Sequence, residues 1–176
     1  MPVKSIPERI RWAIETMGIR PADRILEIGC GRGSAASLVC ERLDGGRIIA
    51  IDRSLTMVKL AEQRNQAHVA AGKAVFQAAA LDVANLDGER FDKVFAINVN
   101  LFWVRSSARE LERVKRLLKP TGAMYLYYEP PATSRAAAIA ARIAPFLAEH
   151  GFTTTVSMAT TSRSTALVCV KAQLPS

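Results

Sequence analysis

The stretch Ile25–Gly33, ILEIGCGRG, sets a short apolar run directly against three glycines at alternate positions, Gly29, Gly31 and Gly33. Glycine gives up more backbone freedom on ordering than any other residue, so this spacing marks a backbone that turns sharply or is approached closely. The run Arg24–Gly29 reads as a short buried strand, and helical periodicity continues after the glycines to about Leu43. Outward from there the same alternation repeats. RIIAID (Arg47–Asp52) is a second strand, Ser54 to Ala71 a second helix, and AVFQAA (Ala74–Ala79) a third strand. FDKVFAINV (Phe91–Val99) is a fourth strand, and AMYLYYE (Ala123–Glu129) a fifth. The helix between them is capped by Ser107 with Glu110 and ends at Lys119, before Pro120. An Ala-rich helix from Ser134 to His150 follows, with a kink at Pro145 and a stop at Gly151.

At the N-terminal end, Ile6, Ile10, Ala13, Ile14 and Met17 recur at helical spacing. Ser5 with Glu8 forms a capping box, and Gly18 ends the helix. The chain closes with two β-rich runs, Phe152–Met158 and Thr165–Lys171, joined by ATTSRS. That connection is too short for a helical crossover, so the two strands pair antiparallel. Strand and helix in regular alternation predict an α/β protein, a doubly wound, mostly parallel sheet of seven strands covered on both faces. In such a sheet a ligand lies beyond the carboxyl ends of the strands, at the switch point, which places Gly29–Gly33 at the mouth of the site.

A chain of 176 residues, about half apolar and a quarter charged, fits one globular domain over residues 1–176. No apolar run approaches the ~20 residues that cross a bilayer. The start, MPVKSIPERIRW, lacks the apolar core of an export signal. Cys30, Cys40 and Cys169 are scattered, without metal-ligand spacing. The expectation is a reduced, cytoplasmic protein with no metal and no membrane association. The net charge of +8 raises the question of a nucleic-acid partner, yet the basic residues are spread along the chain. Arg105, Arg109, Arg113 and Arg116 alone share a helical face. This is either a solvated stripe or a surface for an anionic acceptor or RNA.

Taken in order, EIGCGRG, AIDRS, LDVANL, FDKVFAINV, LKPTGAMYLYYE and FLAEHGF resemble the class I S-adenosylmethionine-dependent methyltransferases over nearly the whole chain. The resemblance implies a Rossmann-like fold, S-adenosyl-L-methionine as cofactor, and an N-terminal helix within residues 1–20 covering the cofactor site. It implies that Glu27 fixes the loop and the methionine amino end, and that Gly29, Cys30, Gly31 and Gly33 form the cofactor loop. It further implies that Asp82 accepts from the adenine amino group, that Val83 lies against the ring, and that Asn98 faces the methionine portion. Asp52 ends the second strand, where a carboxylate can accept both ribose hydroxyls, with Arg53 beside it. Each has a plainer reading. Asp52 could only end a strand or cap the next helix, Asp82 could be an ordinary helix-entry residue, and Cys30 could be a small space-filler without a base to activate it. A nicotinamide dinucleotide site wants its last glycine at position 34, which is Ser34.

The acceptor pocket is expected from the loops after the fourth and fifth strands and from the segment around Trp12. Phe102, Trp103, Tyr128, Pro130 and Pro131 give it an aromatic, rigid rim. Enzymes that methylate base amines carry Asn/Asp-Pro-Pro-aromatic after the fourth strand, where this chain has Asn98-Val-Asn100-Leu-Phe102. A small-molecule acceptor is therefore expected. An RNA methyltransferase, or a protein that binds the cofactor without catalysis, is the alternative; the oligomeric state does not follow. His68 and His150 fall near the C-terminal ends of helices, on the sheet edge away from the site. Glu129, ending the fifth strand, is left as the candidate base or acceptor-orienting group, with holding of the Pro130–Pro131 loop as its plainer role.

Overall fold

The computed structural model describes residues 5–100 and 108–176. Phe102, Trp103, Arg105 and Ser107, and with them the Ser107 cap, lie outside the described residues. The elements in chain order are α1 (Glu8–Thr16), β1 (Arg24–Ile28), α2 (Ser34–Arg42), β2 (Arg47–Asp52), α3 (Leu55–Arg64), α4 (Gln66–Ala70), β3 (Ala74–Ala78), β4 (Phe91–Ile97), α5 (Ala108–Leu117), β5 (Leu118–Tyr128), α6 (Ser134–Glu149), β6 (Thr153–Thr160) and β7 (Ala166–Gln173). The seven strands lie in the order β3-β2-β1-β4-β5-β7-β6. β1, β2, β3, β4 and β5 pair in parallel, and β7 is antiparallel to both β5 and β6. The expected Rossmann-like, doubly wound sheet with an antiparallel C-terminal strand is the fold observed.

Strand residues alternate between two apolar layers, as a period of two requires. Leu26, Ile28, Ile49 and Ile51 face one layer, closed by Leu111 and Val114 of α5 and Ile139 and Ile143 of α6. Ile25, Ile48, Ala50, Phe95 and Tyr127 face the other, closed by Ile14 of α1, Val39 of α2 and Val58 of α3. Burial on both faces explains why the strands read as continuous apolar runs rather than as alternating ones.

Several boundaries differ from the sequence expectation, each for a local reason. The helix expected from Ser54 to Ala71 is interrupted at Asn65, between α3 and α4. The Asn65 side chain is buried and donates from Nδ2 to Gly33 O (3.1 Å) and Ala61 O (2.9 Å), tying the helix end to the glycine loop. The expected Ser5–Glu8 capping box does not form. Pro7 occupies the cap position, and Glu8 instead accepts from the Ser162 amide (2.9 Å) and hydroxyl. The segment Lys119–Gly122, expected to end a helix and turn, belongs to β5. Pro120 is tolerated there because the pairing with β4 is irregular between Phe91 and Lys93, so no ladder hydrogen bond is lost. The last strands run Thr153–Thr160 and Ala166–Gln173, each ending later than expected.

Two features anchor the amino edge. Lys93 Nζ pairs with Asp23 Oδ2 at 2.5 Å with both side chains buried, joining the entry to β1 to β4. His68 and His150 also lie here. The His68 carbonyl accepts from Lys73 N–H just before β3, and His150 caps α6 with Nδ1 2.8 Å from Phe146 O. Both histidines are therefore on the edge opposite the strand carboxyl ends, as the topology predicts. No described helix is long and apolar enough to cross a membrane.

Candidate active site

The order of strands reverses between β1 and β4, and a cavity of about 460 Å³ opens beyond their carboxyl ends. That volume lies in the range of small-molecule sites, and switch-point crevices are where open α/β sheets bind ligands. Gly29 from β1, Asp52 and Arg53 from β2, Ala79 to Leu81 after β3, and Asn98 to Asn100 after β4 line it, with Glu110 of α5.

The glycine loop is built for close approach. Gly29 and Cys30 both donate their amides to Ile51 O, at 2.8 and 2.9 Å, so the loop folds back on the end of β2. Gly33 caps α2 at φ +78°, and a Cβ there would sit 2.7 Å from Asn65 Nδ2 and 2.9 Å from Ala61 Cβ. Gly31 also has positive φ (+52°), but a Cβ on it would meet nothing within 4 Å. One glycine is thus required by packing against α3, and the other by backbone conformation beside open space.

Asp52 joins the loop to the second strand. Its Oδ2 accepts from Gly31 N–H (2.9 Å) and its Oδ1 from Ser54 N–H (2.9 Å). Ser54 in turn caps α3, its Oγ accepting from Met57 N–H (3.3 Å). The strand-ending and ligand-binding readings of Asp52 are compatible, because a carboxylate has about four lone-pair sites. Two of these are used.

Glu27, next to the lining residue Ile28 but not itself lining the cavity, is the most unusual group nearby. It lies in register with Ala50 of β2 and Phe95 of β4, 3 % exposed, and its Oε2 has no hydrogen-bond partner among the described residues. Desolvation, with the charge of Asp52 adding to it, pushes its pKa up to about 8. A buried carboxylate with an orphaned oxygen is costly unless something polar completes it. An ammonium group brought to the glycine loop is such a partner, which is the fit that S-adenosylmethionine requires. Cys30 is buried in the loop, and burial pushes its thiol well above the usual range, so it is packing rather than a nucleophile.

Asn98 is held in the left-handed region at φ +54°, a conformation that Asn tolerates better than most residues. Its N–H donates to Tyr127 O (2.8 Å), while its Oδ1 accepts from Glu129 N–H (2.8 Å). The turn after β4 is thereby locked to the end of β5. A second cavity of about 260 Å³ shares Asn98 and Asn100 with the first and is otherwise lined by Tyr128, Glu129, Pro130, Pro131, Arg135 and Ile139. Glu129 stands on the expected edge, but its carboxylate is engaged. Arg9 Nη1 donates to Oε2 (3.3 Å) and the Thr165 hydroxyl to Oε1 (2.8 Å), linking β5 to α1 and to the turn between β6 and β7.

The chain and its fold match a known family. A family model described as a methyltransferase domain matches residues 25–122, more than half of the chain. The chain belongs to the class I S-adenosylmethionine-dependent methyltransferase family. An uncharacterized methyltransferase of Bacillus subtilis is 28 % identical over 120 residues, which cover 68 % of this chain and 64 % of that protein. A trans-aconitate 2-methyltransferase of Acidovorax ebreus is 33 % identical over 120 residues, covering 66 % of this chain and 43 % of that one. The matched region thus spans less than two thirds of these relatives' own lengths. The crystal structure of an S-adenosylmethionine-dependent methyltransferase from Aquifex aeolicus superposes with a TM-score of 0.73 at 15 % identity, covering 93 % of this chain and 88 % of that one.

Within this methyltransferase domain, Gly29, Asp52, Arg53 and Asn98 line one cavity, and Gly31 is tied to it through Asp52. Glu27, Cys30, Gly33, Asp82 and Val83 do not line it. Asp82 lies along a neighbouring groove with Arg109, Arg113 and Arg116, and Val83 is 71 % exposed. Nor does α1 contribute a lining residue to this cavity. It packs on Tyr127, whose ring meets Trp12 edge-on at 5.5 Å and whose hydroxyl donates to Ala13 O (3.1 Å). Sequence reasoning missed Arg113. Its Nη1 donates to Asp82 O and its Nη2 to Ala84 O (2.6 Å), so one member of the arginine stripe braces the loop after β3. Helical spacing placed Arg113 on a face, but no local signal in the sequence identifies backbone carbonyls as its partners. Arg113→Ala is expected to weaken binding of S-adenosylhomocysteine by about threefold to tenfold, with Arg113→Lys recovering part of the loss. Calorimetric titration of the three proteins measures this. Equal dissociation constants would make the brace irrelevant to the cofactor.

Proposed function

We propose that this chain transfers the methyl group of S-adenosylmethionine to a small-molecule acceptor within the single domain of residues 1–176. The observation that carries the donor assignment is Asp52, bonded to the Gly31 amide at the mouth of the switch-point cavity with lone pairs left for a ribose. When bound, S-adenosylmethionine supplies an electrophilic methyl group on a sulfonium. In this reading Glu27 receives the amino end and Asp52 the ribose. The loop that Arg113 braces, carrying Asp82 and Val83, closes on the adenine. Asn98 stands between the donor cavity and the 260 Å³ cavity where the acceptor enters.

The size of that second cavity favours a small acceptor, as does the small molecule in the name of the Acidovorax relative. The commitment of Arg113 to backbone carbonyls removes one member of the stripe that an RNA-binding face would use. The chain's own contribution to rate is alignment, which supplies roughly 7–11 kcal/mol at best for well-oriented reactants. Glu129 orients the acceptor side of the cleft through its bonds to Arg9, Thr165 and Asn98.

The test of the donor is calorimetric titration, with S-adenosylmethionine and S-adenosylhomocysteine expected to bind and NAD not. Saturable NAD binding without a response to the other two would overturn the assignment. The His68→Ala/His150→Ala double variant is expected to keep its methyl-transfer rate within about twofold, since neither ring is on the catalytic edge. A folded, cofactor-binding but inactive double variant would contradict the layout.

A further inference from the structure

We propose that the acceptor is a small acid carrying more than one carboxylate, held by Arg135 and methylated on a carboxylate oxygen. The inference rests on the methyl-transfer reading above and concerns the 260 Å³ cavity lined by Asn98, Asn100, Tyr128, Glu129, Arg135 and Ile139, among others. Two observations carry it.

The first is charge. Glu129 is already matched by Arg9 and by the Thr165 hydroxyl. Arg135, in the first turn of α6, has no acidic partner among the described residues, so it is the unanswered charge of this cavity. Arg135 is exposed at the rim of this cavity, where a guanidinium can grip an incoming carboxylate through two parallel hydrogen bonds. Neighbouring charge is positive on balance. Arg9, Arg11 and Arg163 line the adjoining groove against Glu8 and Glu129, the last shared with this cavity.

The second is the lack, among the described residues, of a proton acceptor where one would be needed. Methylation of an amine, phenol or alcohol requires a proton to leave the acceptor, and a positioned base takes it. Both histidines are at the amino edge. Among the groups lining the acceptor cavity, the Tyr128 phenol is pushed upward by burial, and the Glu129 carboxylate is committed to an ion pair with Arg9 and a hydrogen bond from Thr165, neither of which lines this cavity. Asp52 and Glu110 line the donor cavity, on the other side of Asn98, and do not line this one. A carboxylate acceptor needs no base, because it is ionised at neutral pH.

The step balances without a proton. A carboxylate oxygen forms a bond to the methyl carbon as the methyl–sulfur bond breaks, and that bond's electron pair stays on sulfur. The negative charge of the acceptor and the positive charge of the sulfonium cancel, leaving a methyl ester and a neutral thioether. A carboxylate gripped by Arg135 shares its charge with the guanidinium and is the poorer nucleophile, so the reacting oxygen belongs to a second carboxylate. The Asn98 Nδ2 hydrogens, left over when Oδ1 accepts from Glu129 N–H, are placed at the junction of the two cavities to orient it.

The experiment has a binding arm and a chemical arm. Citrate, succinate and the diamine putrescine are titrated into the protein saturated with S-adenosylhomocysteine. The carboxylates are expected to bind and the diamine not. Arg135→Ala is expected to weaken the carboxylates about tenfold to hundredfold, Arg135→Lys to recover part, and neither to change S-adenosylhomocysteine affinity. In the chemical arm, S-adenosylmethionine with a radiolabelled methyl group is incubated with the protein and the small-molecule fraction of a cell extract. Label transferred to an ester is released as methanol by mild alkali. Preferential binding of putrescine, carboxylate binding indifferent to Arg135→Ala, or label in an alkali-stable product would each overturn the proposal. Failure of S-adenosylhomocysteine itself to bind would instead strike the methyl-transfer reading on which it rests.

Discussion

Glu27→Gln is expected to make the ligand-free protein more stable than the wild type at pH 8, by up to a few kcal/mol, and no more stable at pH 4. The reason is the proton on Glu27. Its ordinary pKa of 4.5 applies to the unfolded chain, and burial raises it to about 8 in the folded one. Between those values the folded state holds a proton that the unfolded state has released, so stability falls as pH rises through this window. The contribution is fully present below pH 4.5 and is lost once pH passes about 8. Glutamine keeps the shape and removes the titration, so the stability difference between variant and wild type should grow across that range. Denaturant unfolding at a series of pH values measures it, and a difference independent of pH would mean that Glu27 does not titrate as its burial implies.

The same residue links the proton to the ligand. An ammonium group at the orphaned Oε2 favours the ionised form, so binding of S-adenosylhomocysteine near pH 7 is expected to release up to about one proton. Calorimetric enthalpies measured in buffers of different ionisation heat report that proton directly. Glu27→Gln should abolish the buffer dependence and weaken binding.

Asp52→Ala is expected to weaken S-adenosylhomocysteine binding by about a hundredfold or more. One charge-assisted hydrogen bond contributes roughly 1.5–3 kcal/mol, or about tenfold to hundredfold in affinity. Here the carboxylate is expected to serve the ribose while it also holds Gly31 and Ser54, so the variant loses the ligand contact and loosens the loop that presents it. Asp52→Asn should fall between, because one amide oxygen can accept from Gly31 or Ser54 but not satisfy both. Titration of the three proteins decides it. A dissociation constant unchanged in Asp52→Ala would leave the residue with a purely structural task.

Much of this protein is determined by the sequence alone. The glycine turn, the alternation of strands with helices and the position of Asp52 at the end of β2 are local facts, set by backbone conformation and by apolar periodicity. They suffice for the order of elements, for the parallel sheet with its antiparallel close, and for the edge on which the site must lie. The histidines could be placed on the opposite edge for the same reason, since helix direction follows from connectivity. Other features depend on partners distant in sequence, and only the tertiary structure decided them. Asn65 breaks a helix because a buried amide 32 residues from Gly33 bonds to it. Glu8 leaves its capping position for Ser162, 154 residues away. Arg113 braces the loop after β3, and Glu129 is spoken for by Arg9 and Thr165. A polar side chain advertises its capacity to bond but not its partner, and the partner is chosen by which surfaces the packed layers bring within about 3 Å.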